Sequence, residues 1–385
     1  MRALSYGPTG LVFAMVLIGC GEPTSGTVFT PTEPEAVVEP EIEEPVEEVA
    51  EEDIVEDVVE PEPEPEAQPP MVWTAPVSED LRCGNLEIPF TFDGLSTEYS
   101  LSNAFWSMWF AKRSFTGDTE ETEAELRALG FTDYRYIHNE IAQLQVLIVA
   151  NDETMFIAYQ GSKEVMDWIA NFYFLQRDGE EGVSGRVHQG FALALDSEWS
   201  EILTTVQSFS RAGQTIWTSG HSMGAALATI TAARLVQEGF NVGPLYTHAS
   251  PRVGNTTFAQ ELYSGLGGNH YRMAHGLDLI PHLPPAGESA EVAANFIPLG
   301  ITGFGEPYLR DLGYTHAGSL YRMELDDTVT HFPGLQEDED HYYWSQVGFG
   351  TILELLISQE QEALHHEDAY LCKLRTLWLA SRDSP

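Results

Sequence analysis

Positively charged residues are scarce in this chain of 385 residues, which has 18 Lys and Arg against 60 Asp and Glu and a formal net charge of −42. With so few basic residues the chain could neutralise only a few phosphates, which argues against nucleic acid as a partner. Cysteines are also few, at three, and none has a second cysteine nearby as metal sites require. No phosphate-binding loop with its lysine is evident, so we expect no metal and no other cofactor.

The apolar run Leu11–Ile18 is too short to span a bilayer as a helix, and it follows the positively charged Arg2. This arrangement is typical of an export signal. The ending Leu17-Ile18-Gly19-Cys20 resembles a bacterial lipobox, in which the signal is cut before the cysteine and its thiol is lipidated. The resemblance implies a signal peptide over residues 1–19 and a lipid anchor at Cys20. Residue 21 is Gly rather than Asp, which resembles lipoproteins sorted to the outer membrane or cell surface. The alternative is an ordinary secretory signal with an incidental cysteine, and hence a secreted protein.

Residues 22–70 contain 18 acidic side chains and no Lys or Arg, and most of the others are Pro, Val and Ala. Like charges repel one another and proline interrupts helices and sheets. We therefore predict a disordered acidic tether over residues 20–70 and a folded domain over residues 71–385.

Two cysteines remain in the predicted domain, Cys83 near its start and Cys372 near its end. An exported protein meets an oxidising compartment, in which two remaining thiols usually pair. We predict a disulfide between them, and two buried free thiols are the alternative.

Strands and helices alternate along much of this domain. The two apolar segments 145–150 and 154–159 are joined by Asn151-Asp152-Glu153, which predicts a hairpin. Further strands are predicted at 215–218, 245–248 and 271–274, and helices at 99–115, 120–129, 190–209, 223–238 and 257–263. Strands that are apolar throughout and alternate with helices indicate an α/β protein whose central sheet is mainly parallel and covered by helices on both faces.

The segment Gly220-His221-Ser222-Met223-Gly224 lies where a predicted strand meets a predicted helix. This is the setting of a nucleophile elbow, a sharp turn that lifts the serine hydroxyl above the sheet edge. The flanking glycines prevent collisions at the turn, and the start of the helix offers backbone N–H groups to a developing oxyanion. A Gly-rich structural turn is the alternative.

A serine hydroxyl needs a base to become a nucleophile, and in this architecture an acid and then a histidine follow the serine in the chain. Asp278 lies just past the strand predicted at 271–274, where a loop could bring its carboxylate to the elbow. The alternative is an aspartate that merely caps the loop.

Five ordered motifs resemble the fungal-type, class 3 triacylglycerol lipases: Ala158-Tyr159-Gln160-Gly161-Ser162, Val187-His188-Gln189-Gly190-Phe191, the elbow, Ser250-Pro251-Arg252-Val253-Gly254-Asn255, and Asp278-Leu279-Ile280-Pro281-His282-Leu283-Pro284-Pro285. The resemblance implies an α/β-hydrolase fold and hydrolysis of carboxylic esters through a covalent acyl-enzyme. It also implies a lipid ester as substrate, and we expect contact with a membrane surface through the lipid anchor at Cys20. Phospholipase A1 activity, hydrolysis of soluble feruloyl-type esters, and a surface lipoprotein without activity are the alternatives.

The same resemblance implies roles for individual residues. His341, which follows Asp340 and precedes two tyrosines, matches the catalytic histidine, whereas His282, His316 and His331 do not. Ser162 and Met223 match the positions of the family's oxyanion donors. The segment after Ser162 matches the family's amphipathic lid, and its apolar face would consist of Val165, Met166, Trp168 and Ile169. His188 and His221 match structural positions. The segment 286–313 is longer than in the fungal enzymes and either borders the acyl pocket or is a plain surface insertion.

Overall fold

The computed structural model describes residues 71–74, 90–117, 119–161, 174–180, 182–286, 311–333, 339–340, 342–343 and 364–382. All of them belong to one compact unit, Glu66–Pro385. The predicted signal and tether therefore lie outside the described residues, as do several predicted site residues: Cys20, Cys83, Ser162, Val165, Met166, Trp168, Ile169 and His341. Most of the segment 286–313 is outside them too.

A nine-stranded sheet forms the centre of the described unit, in the order β1-β13-β12-β10-β8-β7-β4-β3-β2. Strands β4, β7, β8, β10 and β12 are parallel to their neighbours within this set, and antiparallel pairs flank them at both edges. The strands are β1 Met71–Thr74, β2 Asp133–Asn139, β3 Leu144–Ala150, β4 Thr154–Tyr159, β7 Thr215–His221, β8 Val242–His248, β10 His270–His275, β12 Ser319–Met323 and β13 Thr328–Phe332.

A second sheet of four short strands has the order β11-β9-β6-β5. Its strands are β5 Gln176–Asp178, β6 Arg186–His188, β9 Gly254–Asn255 and β11 Tyr314–Thr315. The described helices are α1 Leu101–Thr116, α2 Glu120–Ala128, α3 Gln189–Asp196, α4 Trp199–Phe209, α5 Met223–Gln237, α6 Thr256–Gly265 and α7 Glu367–Arg382, with a 3₁₀ turn at Ile280–His282. None of the helices in the described part is long and apolar enough to cross a membrane.

Alternate residues of each central strand face opposite sides of the sheet. On β3, Ile148 belongs to a core that also contains apolar residues of α3, α4, α5 and α6. Its neighbour Leu147 belongs to a separate core formed with α1, α2 and α7. Both side chains are at most 1% exposed. The predicted mainly parallel sheet with helices on both faces is therefore confirmed, and the two cores explain why the strands are apolar throughout.

The ends of several helices follow from local sequence. Ser100, Thr119 and Asn255 each accept a hydrogen bond from a backbone N–H in the first turn of the helix that follows. The single helix predicted at 190–209 is instead two helices that break after Asp196. The break leaves the Asp196 carboxylate between Arg177 and Arg234, which both pair with it.

Cys372 lies in α7 and is disulfide-bonded. Because Cys83 is not among the described residues, its predicted pairing with Cys372 stays a prediction.

Candidate active site

Ser222 occupies the sharp turn between β7 and α5, with φ 58° and ψ −126°. A non-glycine residue seldom adopts this conformation, which costs about 1–3 kcal/mol and is common at functional sites. The backbone N–H of Ser222 donates to the carbonyl of His248 at 2.9 Å, so the neighbouring strand β8 holds the turn in place.

The two glycines of the elbow are required by close backbone contacts. A Cβ at Gly220 would lie 2.2 Å from the carbonyl carbon of Gly224. A Cβ at Gly224 would lie 2.4 Å from the oxygen of Gln160 and 2.5 Å from that of Tyr159. Real Cβ atoms do not approach backbone this closely, so the helix α5 can begin this near to β4 only with glycine at both positions.

The hydroxyl of Ser222 is buried and is not used for structure. Serine at the start of a helix usually accepts a hydrogen bond from the first turn, but Ser222 makes no such cap. Its Oγ has no hydrogen-bond partner among the described residues. Buried polar atoms are rarely left in this state, and such an exception is a candidate for chemistry.

Asp278 lies in the loop that follows β10, and its side chain is almost completely buried. One carboxylate oxygen, Oδ1, accepts from the N–H of Ile280 at 3.0 Å. The other, Oδ2, accepts from Nδ1 of His365 at 2.8 Å and from the hydroxyl of Tyr370 at 2.7 Å. The carboxylate is therefore held from both sides and directed at one histidine.

Burial alone would raise the pKa of Asp278, but attraction to His365 and the hydrogen bonds from His365, Tyr370 and Ile280 outweigh it. The pKa of Asp278 is therefore lowered, and the group is a carboxylate at neutral pH. A carboxylate can only accept hydrogen bonds, so the proton shared with His365 is on Nδ1. In the neutral form of His365, Nε2 is then the nitrogen that can accept a proton.

His365 is buried between the acid and the elbow. Its ring centroid lies 4.8 Å from that of His221, the residue next to Ser222. Its Nε2, like the Ser222 hydroxyl, is buried without a hydrogen-bond partner in the described part of the chain. The site thus contains a buried serine hydroxyl, a carboxylate and a histidine bonded to that carboxylate, which are the three kinds of group that nucleophilic catalysis requires.

The sequence prediction named His341 as the base, and because His341 lies outside the described residues this stays a prediction. Among the described histidines, His365 is the one bonded to Asp278. Asp340, next to His341, binds the guanidinium of Arg252 and Nδ1 of His282. The other candidates have separate contacts: His316 donates to the carbonyl of Pro281 at 2.6 Å, and His331 stacks on Tyr321.

His188 and His221 are buried and neutral. Nδ1 of His188 accepts from the N–H of Phe191 at the start of α3, and burial lowers the pKa of His188 to about 3. Burial and the neighbouring histidines lower the pKa of His221 well below its usual range. His221 also packs against Tyr370, with ring centroids 5.3 Å apart.

Groups suited to an oxyanion surround the elbow. Met223 is the first residue of α5, where a backbone N–H has no acceptor within the helix. On the other side, a Cβ at Gly161 would lie 3.2 Å from Cβ of Ser222. The chain leaving β4 therefore passes directly beside the serine, one residue before Ser162.

Sequence reasoning missed His365 and Tyr370. Both come from the segment around the start of α7, and their acid partner is 87 and 92 residues away in the chain. The available signal was a His-His pair directly before an acidic helix start.

In the described part of the chain, the side chains that could together hold a metal ion are His366, Glu367 and Asp368, and Lys112 already pairs with the two acids.

The solved structure of a mono- and diacylglycerol lipase from Aspergillus oryzae resembles this chain with a TM-score of 0.50 and 22% identity, over 71% of this chain and 99% of that one. This likeness confirms the α/β-hydrolase fold. Residues 156–288, which contain Ser222 and Asp278, match the family model for lipase (class 3).

Curated relatives match a similar part of the chain. Secreted mono- and diacylglycerol lipase 1 of Fusarium solani is 38% identical over 135 residues, which are 34% of this chain and 39% of that protein. A lipase of Rhizomucor miehei is 32% identical over 142 residues, which are 35% of this chain and 39% of the relative. The chain thus spans about two fifths of the length of these two proteins.

Proposed function

We propose that this protein is a serine carboxylic ester hydrolase that acts on lipid esters, with Ser222 as nucleophile, His365 as base and Asp278 as the orienting acid. One observation carries the proposal: the hydroxyl of Ser222 and Nε2 of His365 are both buried without partners, and the other nitrogen of His365 is bonded to Asp278. The match of residues 156–288 to class 3 lipases supports the same chemistry.

In the proposed reaction, Nε2 of His365 takes the proton of Ser222 as its oxygen attacks the ester carbonyl. The imidazolium that forms is stabilised by the Asp278 carboxylate. His365 then gives the proton to the departing alcohol, which leaves an acyl group on Ser222. Water, deprotonated by His365, releases the fatty acid and restores the serine.

The negative charge that develops on the carbonyl oxygen needs donors placed in advance. We propose the backbone N–H groups of Met223 and Ser162 for this role. The position of Met223 at the start of α5 and the passage of Gly161 beside Ser222 support it. Loss of one such donor typically costs about 100-fold to 1,000-fold in kcat.

The assignment of the base is tested by comparing two histidines. Ser222→Ala and His365→Ala should each lower turnover of a soluble p-nitrophenyl ester by at least about 1,000-fold, and His341→Ala should not. Ser222→Ala should also abolish labelling by a fluorophosphonate probe. Full activity in His365→Ala with loss in His341→Ala would restore the assignment made from sequence.

For the substrate class, we propose glycerides at a lipid surface, with the segment containing Val165, Met166, Trp168 and Ile169 as an amphipathic lid. Turnover of a long-chain glyceride should rise sharply once it exceeds its solubility, and Trp168→Ser should reduce that rise. A hyperbolic rate curve through the solubility limit, with soluble esters preferred, would indicate an esterase. Higher rates on phospholipid would indicate phospholipase A1 activity.

We further propose that the protein is exported and anchored through a lipid on Cys20. Cys20→Ser should then move it from the membrane fraction to the soluble fraction. If the wild-type protein is itself soluble and starts at another residue, secretion is correct.

The proposed Cys83–Cys372 disulfide is checked by intact mass after alkylation, since two alkylated thiols in the native protein would exclude it.

A further inference from the structure

The loop that carries Asp278, residues 276–284, is held through its backbone carbonyls. We call this segment the acid loop. Its regular structure is one 3₁₀ turn, Ile280–His282, and the N–H of Gly276 donates to the carbonyl of Met323 at the end of β12. Six of its nine carbonyl oxygens nevertheless accept hydrogen bonds from outside the loop. The donors are Arg322 to Gly276 at 2.8 Å, Tyr343 to Leu277 at 3.1 Å, His316 to Pro281 at 2.6 Å, and Arg252 to His282 at 2.6 Å, Leu283 at 2.7 Å and Pro284 at 2.8 Å.

Arg252 supplies three of these six bonds. Its guanidinium donates to two of the carbonyls and its backbone N–H to the third. The same guanidinium is ion-paired with Asp340, whose other carboxylate oxygen accepts from Nδ1 of His282 at 2.9 Å. Arg252 therefore holds the acid loop both directly and through Asp340 and the His282 side chain.

These contacts are all shielded from water. Arg252 is 3% exposed, His282 2% and Asp340 5%. A further contact comes from Tyr343, whose ring stacks on that of His282 with centroids 3.6 Å apart. Hydrogen bonds to charged donors in such surroundings are stronger and more directional than neutral bonds exposed to water.

We propose that Arg252 is a positioning residue for the reaction, which fixes the acid loop so that Asp278 stays bonded to His365. The inference rests on the proposed function, since it assigns Arg252 a part in the same site. Asp278 is only four residues from His282, so a shift of the loop at Arg252 moves the carboxylate. The bond from His365 to Asp278 is 2.8 Å long, and a displacement of about 1 Å breaks it.

A purely structural role for Arg252 is the competing explanation, and the chain offers a matched control. Arg234 is 2% exposed and is ion-paired with Asp196, much as Arg252 is with Asp340. Its contacts with the described residues do not reach the acid loop, and its guanidinium lies over Trp199 on α4. Arg234→Gln should therefore reduce stability without changing the geometry of Asp278.

The test variant is Arg252→Lys. It keeps the charge next to Asp340, but one ammonium group cannot reproduce the planar fork that reaches His282, Pro284 and Asp340 together. With active sites counted by fluorophosphonate labelling, kcat per site for a soluble ester should fall about 10-fold to 100-fold, with KM within about twofold. Arg234→Gln should keep kcat per site.

A second readout does not depend on activity. In protein labelled with ¹⁵N-histidine, the proton on Nδ1 of His365 should give a low-field resonance, assigned by its loss in His365→Gln. We expect Arg252→Lys to lose this resonance and Arg234→Gln to retain it. An unchanged resonance in Arg252→Lys would overturn the positioning role. Absence of ester turnover in the wild-type protein would instead overturn the proposed function, and the comparison of resonances would still decide the role of Arg252.

Discussion

Buried neutral histidines should make this protein sensitive to mild acid. Burial lowers the pKa of His188 to about 3 and that of His248 to about 3, against a usual value near 6.5. Both side chains are at most 5% exposed. As the pH falls below about 6.5, these histidines bind protons in the unfolded chain but not in the folded protein. Their full contribution to the free energy of unfolding is therefore present above about pH 6.5 and declines as the pH falls towards about 3.

The size of the effect follows from the same values. Each pKa unit corresponds to 1.36 kcal/mol, so each of these histidines should cost about 2 kcal/mol between pH 7 and pH 5. Together they should remove about 4 kcal/mol, a large part of the roughly 5–15 kcal/mol that stabilises a typical protein. Asp278 acts in a separate window: its lowered pKa stabilises the fold above about pH 4 and loses that contribution only below it.

Urea unfolding followed by tryptophan fluorescence at pH 7, 6 and 5 measures this loss. His188→Asn is the informative variant, because asparagine is also a preferred helix cap and can accept from the N–H of Phe191. It should reduce the loss between pH 7 and pH 5 by about 2 kcal/mol. His138→Asn, at an exposed position of β2, should leave the loss unchanged. A free energy of unfolding that is flat between pH 7 and pH 5 would refute the reasoning.

Two further substitutions test the site. Gly224→Ala places a Cβ 2.4 Å from the carbonyl oxygen of Gln160, so we expect it to destabilise the fold by several kcal/mol and to lower ester turnover by at least about 100-fold, measured by thermal unfolding and a soluble-ester assay. Tyr370→Phe removes a donor to Asp278 and leaves the buried N–H of His275 without its acceptor. We expect a stability loss of about 1–3 kcal/mol and about a 10-fold fall in kcat; unchanged kcat would mean that His365 and the N–H of Ile280 suffice to orient the acid.

Strands could be predicted from sequence where a run of consecutive residues is apolar and buried. The strands β3 and β4 were predicted because both of their faces are apolar, and their hairpin is confirmed. Strand β2 was missed because only Ile137 among its seven residues is fully buried, so it lacks the apolar run that marks a central strand. The short strands β5, β6, β9 and β11 were missed because two or three residues carry no periodicity. β6, β9 and β11 also depend on pairing with distant parts of the chain, whereas β5 pairs with the nearby β6.

The same difference between local and distant contacts explains which parts of the site could be predicted from sequence. The elbow is local: a strand, a turn and a helix that are contiguous in sequence, with Gly220 and Gly224 required by contacts at the turn itself. The proposed base, His365, is not local, because its position depends on where a C-terminal segment docks. The pattern around Asp340 and His341 is typical of a catalytic pair, and the role of His341 stays a prediction. Asp340 and Tyr343 contact the acid loop, through His282 and the carbonyl of Leu277.

His365 has no acid directly before it in sequence, and its partner Asp278 belongs to a strand end in the middle of the sheet. Helix α7 packs against α1 on the side of the sheet that holds Phe105 and Trp378, stacked with centroids 5.3 Å apart. That packing sets the start of α7, and therefore His365, beside the acid. A substitution that loosens it, such as Trp378→Ala, would weaken the bond between His365 and Asp278 without contacting either residue. The bond between His365 and Asp278 therefore depends on packing in the core as well as on the residues near the histidine.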